Sequence, residues 1–340
     1  MQTTVTHRIR EGLLEKRDSL RQWQQATPEP KKQIELGYAD ETAVQLELDL
    51  IDTSLQKMET GEYGICEVCH DAVDFELLQM DYTATVCLGH YTDAELRQLE
   101  SELELSQIVQ RALLPQQVPS IPNYEIAAFS RPAQIVSGDY FDFLPFEDGT
   151  HGLVVADVSG HGVASGMLMS SLQTVFHTLA PETDSPVDVL KRINRLYIHN
   201  INFTTFVTLF FARLDPTSGT LSYASAGHNP PLLYRRSTGE STWLKPTGAA
   251  IGLLEEYHLR MESLQLVKGD ILLLYTDGII EALNPQGNEQ FDYVRLLEVV
   301  RQNENLPANE LTQKLRQALT DFTQGGLLAD DITLVVCKVN

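Results

Sequence analysis

Five acidic residues between positions 139 and 331 stand where an apolar run meets a turn. Asp157 and Asp277 each end such a run, Asp139 begins one, and the pair Asp330 and Asp331 precedes another. A single aspartate in this position is most often a turn former or a helix cap. Carboxylates gathered without Lys or Arg repel one another, so a cluster of them predicts cations in between.

The chemistry that such a cluster supports is metal-assisted hydrolysis. All-oxygen sites suit Mg²⁺ or Mn²⁺, and two such ions can bridge one water and hold its in-line attack on phosphorus. No activated nucleophile is obvious, because Cys337 lies within an apolar run that favours a core position. His161 and His228 lie within glycine-bearing motifs and could act as acid or base, although a structural role is the commoner one.

A second group of residues with metal chemistry lies nearer the N-terminus. Cys66 and Cys69 form a C-x2-C pair, and Cys87 and His90 form a C-x2-H pair. Three thiolates and one imidazole complete the closed tetrahedral shell of a structural zinc site. The alternatives are a redox C-x-x-C motif, His70 as the fourth ligand, or no metal.

Composition limits the classes of function. The formal charge of −22 over 340 residues argues against a nucleic-acid groove and against anionic membrane surfaces. No apolar run is long enough to span a bilayer, and residues 1–10 have no hydrophobic signal core. Four cysteines are too few for a secreted disulfide scaffold. We therefore expect a cytoplasmic protein.

Two helical patterns precede the cysteine pairs. Residues 5–26 carry spaced apolar side chains among many charges, and Thr27–Pro30 stops the helix because proline cannot continue a helix interior. Residues 40–60 carry a seam with alternating steps of four and three, typical of a coiled coil, at Val44, Leu48, Ile51, Leu55 and Met58. We predict an antiparallel helical hairpin that serves packing or dimerisation.

A third helical pattern, over residues 92–114, leads into the C-terminal two thirds of the chain. Its apolar positions shift, as at a stutter in a coiled coil, from Leu96, Leu99 and Leu103 to Ile108, Val109, Ala112 and Leu113. This helix could transmit a signal or hold a dimer together. We predict an N-terminal module over 1–92, a connecting helix and linker over 93–121, and a catalytic domain over 122–340.

The last part of the chain consists of short apolar runs divided by Gly, Pro, Asp and Asn. The predicted strands are Tyr124–Arg131, Asp139–Pro145, Gly152–Asp157, Thr205–Leu214, Gly219–Ala226, Pro231–Tyr234, Leu259–Leu266, Asp270–Thr276 and Asp331–Val339. The predicted helices are Ala164–Leu179, Pro186–Ile201, Asp292–Asn303 and Pro307–Phe322. Strands joined by short turns, with helical pairs to cover them, predict a layered α+β fold with antiparallel sheets.

Six motifs in this region appear in the order found in one phosphatase family. They are Gly138–Asp142, Ala156–Gly162, Phe206–Leu209, Ala226–Pro231, Tyr275–Ala282 and Asp330–Val336. With these motifs, residues 105–340 resemble the metal-dependent protein phosphatases of the SpoIIE/RsbU type, in the PPM family. The resemblance implies an αββα sandwich with a dinuclear Mn²⁺ or Mg²⁺ centre between its two sheets.

The same resemblance implies roles for individual residues. Asp157 would bridge both metals, and Asp139 would orient the water or bind a metal with Asp142 in support. The implied ligands are Asp157, the Val158 carbonyl, Asp277 and Asp330, with Asp331 as the alternative to Asp330. The implied substrate is a phosphoserine on an anti-sigma factor antagonist (a STAS-domain protein) in a partner-switching pathway.

Residues 5–92 resemble the DksA/TraR zinc-finger family. The matching features are Gly61-x-Tyr63-Gly64-x-Cys66-x-x-Cys69 and Thr83-x-Thr85-x-Cys87-x-x-His90, preceded by the helical hairpin. His90 replaces the family's last cysteine, and zinc accepts either ligand. The family's tip that contacts RNA polymerase carries two aspartates, whereas the stretch 37–43 keeps one, Asp40.

These patterns together predict a cytoplasmic serine/threonine phosphatase with a regulatory N-terminal module. We expect a homodimer through the N-terminal and connecting helices, and an upstream regulator at the N-terminal module. Two alternatives remain open: a regulator that binds RNA polymerase and is controlled by the phosphatase domain, and a catalytically silent scaffold.

Overall fold

The computed structural model describes residues 9–10, 13–14, 17–18, 20–22, 24–26, 41–73, 77–78, 84–90, 92–160, 162–198, 206–255, 257–326 and 328–340. The chain divides into two compact units, Met1–Glu102 and Leu103–Asn340. The division falls inside one helix, α2, which spans Asp93–Leu113. The domain boundaries that the sequence suggests at residues 92 and 121 stay predictions. Most of the predicted hairpin tip lies outside the described residues.

The first unit is built on helix α1, Glu41–Thr60. Its predicted apolar seam is buried, with at most 9% of the surface exposed at Val44, Leu48, Ile51 and Leu55. Leu13, from a helical stretch near the N-terminus, packs with Ile51 and Leu55. Burial of apolar surface, rather than helix propensity, therefore holds these helical segments together.

The second unit contains two five-stranded antiparallel sheets among its described residues. The strands are β1 (Tyr124–Arg131), β2 (Asp139–Pro145), β3 (His151–Val158), β4 (Val207–Asp215), β5 (Thr220–Ala226), β6 (Leu232–Arg235), β7 (Glu240–Trp243), β8 (Glu262–Gln265), β9 (Asp270–Tyr275) and β10 (Ile332–Val339). The first sheet has the order β1-β10-β9-β6-β7, and the second has the order β2-β3-β4-β5-β8.

Helices cover the outer faces of the two sheets. They are α3 (Val163–Leu179), α4 (Pro186–Tyr197), α5 (Asp277–Ile280), α6 (Asp292–Gln302) and α7 (Ala308–Thr323). Helix α4 shows how local sequence sets a helix start, because the side chain of Ser185 accepts a hydrogen bond from the Asp188 N–H at 3.3 Å and Pro186 fills the first helical position.

Three apolar layers make the sandwich. One lies between α3, α4 and the second sheet, and another lies between α6, α7 and the first sheet. The third lies between the two sheets, where Phe141 and Phe210 of one sheet share a cluster with Leu272 and Val335 of the other. The prediction of a mixed fold with two sheets and helices outside is confirmed. Sheet packing of this kind fixes which strand ends meet at each end of the sandwich.

Several details differ from the predicted elements, among them the unpredicted short helix α5. Strand β7 was not predicted, because Glu240–Trp243 is a mostly polar edge strand with one large apolar residue. The predicted strand Leu259–Leu266 shortens to β8, because residues before Glu262 make isolated bridges around Gly248 instead. The predicted helix Pro186–Ile201 ends at Tyr197 as far as the described residues go. No helix in the described part of the chain combines the length and apolar character needed to cross a bilayer.

Candidate metal centre

Two of the acidic residues come from neighbouring strands of the second sheet. Asp139 begins β2, Asp157 lies near the end of β3, and the two are opposite each other in the antiparallel register. The turn before β2 is held against β3, because the Val158 N–H donates to the Gly138 carbonyl at 3.2 Å. Paired residues in an antiparallel ladder lie about 4.5–5.5 Å apart at their Cα atoms, so these two carboxylates are held close together.

The remaining acids come from the first sheet. Asp277 follows β9, and the pair Asp330 and Asp331 precedes β10, which is the neighbour of β9. Gly278 allows the two segments to meet, because a Cβ atom at this position would lie 2.0 Å from the Asp331 carbonyl oxygen. The glycine in the Thr-Asp-Gly motif is therefore a packing requirement of the site.

A hydroxyl group connects the two sheets at the acids. Thr276 Oγ1 donates to Asp139 Oδ2 at 2.7 Å. Thr276 Oγ1 also accepts from the Thr333 N–H at 2.9 Å. Asp139 is only 2% exposed. Burial, followed by the charges of Asp157 and Asp331, raises the pKa of Asp139 well above its ordinary range. Sequence reasoning missed Thr276, although a polar residue ending an apolar strand beside Asp277 was an available signal.

The structure separates the two adjacent acids that sequence could not distinguish. The Asp331 carboxylate is 5% exposed and accepts from the Ala133 N–H and the Gly138 N–H, each at 2.7 Å. Both of its oxygens are therefore engaged with the backbone that precedes Asp139. Asp330 is exposed, and one of its carboxylate oxygens accepts from the Asp331 N–H at 2.8 Å.

The electrostatics of the cluster are those of an oxygen-ligand cation site. Burial, followed by the charges of Asp277, Asp330 and Asp331, raises the pKa of Asp157 to about 8. Burial, followed by the charge of Glu281, also raises the pKa of Asp277. Carboxylates that repel one another at neutral pH are stabilised by divalent cations, and an all-oxygen set suits Mg²⁺ or Mn²⁺. The donor chemistry of these residues therefore fits the implied metal pair.

His228 contacts Thr208, which is the residue of β4 that pairs with Asp157 of β3. His228 is 1% exposed, its Nδ1 atom lies 2.8 Å from Thr208 Oγ1, and burial lowers its pKa to about 4. A neutral, buried imidazole fits the structural role better than the acid or base role. Asp142 faces α3, where its carboxylate accepts from Tyr140 and lies 2.6 Å from His177 Nε2. The proposed support of Asp139 by Asp142 is thus not seen, and His161 lies outside the described residues.

One further residue that sequence reasoning missed holds the turn before Asp139. Gln110, in α2, is 7% exposed, its Nε2 donates to the Ser137 carbonyl at 2.8 Å, and its Oε1 accepts from the Ser137 N–H at 2.8 Å. Gly166 provides the space, because a Cβ atom there would lie 2.9 Å from Gln110 Nε2. The sequence around a polar residue in an apolar helical stripe does not indicate whether that residue is buried.

The cysteine cluster is a second, separate group. Ligand atoms of Cys66, Cys69, Cys87 and His90 all lie within 4.8 Å of one another. His70 adopts a left-handed turn conformation, with φ 61°, after the C-x2-C pair. Burial raises the pKa of the Cys66 thiol, but hydrogen bonds from the Cys69, Cys87 and Val68 N–H groups outweigh it and bring that pKa to about 6.

Four ligand atoms this close match a single tetrahedral ion. In the part of the chain that the structure describes, no carboxylate group of three or more is gathered as tightly. A wider spacing is expected for a pair of ions, which stand about 3.5–4 Å apart and take ligands from both sides.

Two helix-covered sheets with acids from both sheets at one end form the fold of PP2C-type phosphatases. The SiaA-PP2C domain of Pseudomonas aeruginosa matches this chain with a TM-score of 0.66 at 20% identity, over 73% of this chain and 100% of that domain. At this level of identity the likeness shows the fold.

Sequence comparison identifies the family. The model of the family described as stage II sporulation protein E (SpoIIE) matches residues 147–340. The phosphoserine phosphatase RsbU of Bacillus subtilis is 31% identical over 269 residues, which cover 76% of this chain and 78% of that protein. The phosphoserine phosphatase RsbP of Bacillus subtilis is 25% identical over 242 residues, which cover 70% of this chain and 58% of that protein. The chain belongs to the SpoIIE family and is a PP2C-type protein serine/threonine phosphatase.

Proposed function

We propose that this protein removes phosphate from phosphoserine on an anti-sigma factor antagonist with a STAS domain. The observation that carries the proposal is the meeting of Asp157 from one sheet with Asp277 and Asp330 from the other. The relatives RsbU and RsbP are both phosphoserine phosphatases, which supports the same substrate class. The N-terminal module and α2 would regulate this activity.

Each acid has a place in this proposal. Asp157, with the Val158 carbonyl, and Asp277 and Asp330 would hold two Mn²⁺ or Mg²⁺ ions, which supply Lewis acidity toward water and phosphate oxygens when bound. Asp139 would orient the attacking water, since its buried carboxylate is fixed by the Thr276 hydroxyl.

Asp331 has a different place from Asp330. Because both of its oxygens accept backbone N–H groups, it would position the segment before Asp139 rather than bind metal.

The direct test is Mn²⁺-dependent release of phosphate from a STAS protein phosphorylated on serine. The double variant Asp157→Ala plus Asp277→Ala should lose at least a hundredfold in kcat, since it removes ligands from both sheets. Asp321→Ala, an exposed acid on α7, is the matched control and should keep full activity. Full activity in the double variant would refute the mechanism.

For the first unit, we propose a structural zinc ion bound by Cys66, Cys69, Cys87 and His90. We also propose that the helical hairpin that precedes this site in the chain contributes to a homodimer. The support is the 4.8 Å grouping of the four ligand atoms and the packing of Leu13 on α1. Elemental analysis should give one zinc per chain in addition to labile manganese or magnesium. Sedimentation of the full chain tests the dimer.

A further inference from the structure

A pocket of about 470 Å³ opens directly beside the candidate metal centre. Its lining includes residues of the centre or next to it, namely Gly278, Glu281 and Asp330. Apolar lining comes from Ala282, Leu283, Pro285, Leu328 and Ala329, and the remaining lining residues are Asn284, Gly287, Gln290, Thr323 and Gly326. A phosphoserine held at the carboxylates would therefore place its neighbouring residues at the mouth of this pocket.

The wall of the pocket is a firmly bonded loop that follows α5. Its ends are joined by the bond from the Phe291 N–H to the Ala282 carbonyl at 2.8 Å. Its tip is closed by Asn284, whose N–H donates to the Glu289 carbonyl at 3.0 Å and whose Oδ1 accepts from the Asn288 N–H at 3.1 Å. A loop held in this way keeps its shape without a ligand, so the pocket is preformed.

The chemistry of the lining selects the occupant. Leu283 leaves 43% of its surface exposed, and Leu328 packs against the core under α6 and α7 while still lining the pocket. An apolar side chain that covers Leu283 would remove this surface from water. Glu281, which is exposed at the rim, would repel an acidic side chain.

We propose that this pocket receives the side chain two positions from the phosphoserine and makes the enzyme prefer a bulky apolar residue there. The inference rests on the proposed phosphoserine activity. In an extended segment, side chains at positions i and i±2 point the same way about 6.6–6.8 Å apart. When the phosphoserine points into the carboxylates, a residue at this spacing points into the adjoining pocket. Leu283 is thus a specificity residue and takes no part in the chemistry.

The test compares three synthetic phosphoserine peptides that carry Leu, Ala or Glu at both the −2 and +2 positions. The Mn²⁺-loaded full chain is the enzyme, and p-nitrophenyl phosphate, which has no flanking residues, is the reference substrate. We expect kcat/KM to be about tenfold higher for the Leu peptide than for the Ala peptide, which is the lower end of the discrimination that a single buried methylene provides. The Glu peptide should be the slowest of the three.

Leu283→Asp should abolish the preference for Leu and leave hydrolysis of p-nitrophenyl phosphate unchanged. Leu253→Asp is the matched control, because Leu253 is similarly exposed, at 48%, and is not among the residues that line this pocket. Equal rates for the Leu and Ala peptides, or a preference that survives Leu283→Asp, would overturn the pocket proposal while p-nitrophenyl phosphate is still hydrolysed. If the unmodified enzyme hydrolysed none of these substrates, the proposed function itself would be overturned.

Discussion

Substitution of Asp331 by asparagine should destabilise the fold, whereas the same substitution at Asp330 should weaken metal binding. Asparagine at position 331 keeps one carbonyl oxygen, so one of the two 2.7 Å bonds from the Ala133 and Gly138 N–H groups is lost and that N–H meets an amide NH₂. A hydrogen bond to a charged group contributes about 1.5–3 kcal/mol, and leaving its partner buried adds roughly 1 kcal/mol.

Relief of repulsion offsets part of this loss, because the charge of Asp331 contributes to the raised pKa of Asp139 and of Asp157. A net loss of about 2 kcal/mol in the free energy of unfolding lowers the Tm of a domain of this size by roughly 4–8 °C. Asp330→Asn keeps an acceptor for the Asp331 N–H, so the Tm of the metal-free protein should change by less than about 2 °C.

Two measurements on the same variants separate these outcomes. Thermal unfolding in EDTA measures the Tm of the metal-free protein. Calorimetric titration measures the affinity of the metal centre for Mn²⁺. We expect Asp330→Asn to weaken at least one Mn²⁺ step by a hundredfold or more, and Asp331→Asn to weaken both steps by less than tenfold. The reverse pattern, with Asp331 controlling affinity and Asp330 controlling Tm, would show that the two roles have been assigned the wrong way round.

Three further results are expected. Gly278→Ala should reduce both kcat and Mn²⁺ affinity more than tenfold, because its Cβ would lie 2.0 Å from the Asp331 carbonyl oxygen; wild-type affinity would contradict the close approach. Gln110→Ala should lower the free energy of unfolding by about 2 kcal/mol and reduce kcat, because two hydrogen bonds to the Ser137 backbone are lost. Urea unfolding measures the first effect, and phosphate release measures the second. In metal-free protein, Asp157 binds a proton more tightly when folded, with a pKa of about 8 against 3.8, so stability should fall as the pH rises from about 4 to 8. In EDTA the Tm should therefore fall over this pH range, and saturating Mn²⁺ should remove the fall. A Tm in EDTA that rises with pH over the same range would contradict the raised pKa of Asp157.

The sequence predicted the parts of this fold that periodicity and turn chemistry control. Strands β1 and β2 were predicted at their observed bounds, because a proline directly follows β1 and another ends β2. Strand β7 was missed because an exposed edge strand needs no apolar alternation. Gln110 was missed because its burial depends on the Ser137 backbone, which lies in another part of the chain.

The candidate site shows the same division. The motifs predicted that Asp139, Asp157 and Asp277 lie at strand ends. In the structure the two sheets bring these strand ends together. The difference between Asp330 and Asp331 could not be predicted, because adjacent residues share every local signal. It depends on which carboxylate meets the backbone of residues 133–138, almost two hundred positions away.

The place of β10 in the first sheet has a consequence for biosynthesis. This strand, Ile332–Val339, lies between β1 and β9, and β1 has β10 as its only described strand partner. During translation β1 must therefore wait for some two hundred further residues before it can pair, with its apolar face unprotected meanwhile. Asp330 directly precedes this strand, so a ribosome-bound chain that lacks the segment would also lack one of the proposed metal ligands. On the proposed ligand set, the pairing of β1 and the completion of the metal centre would both depend on synthesis of this one segment.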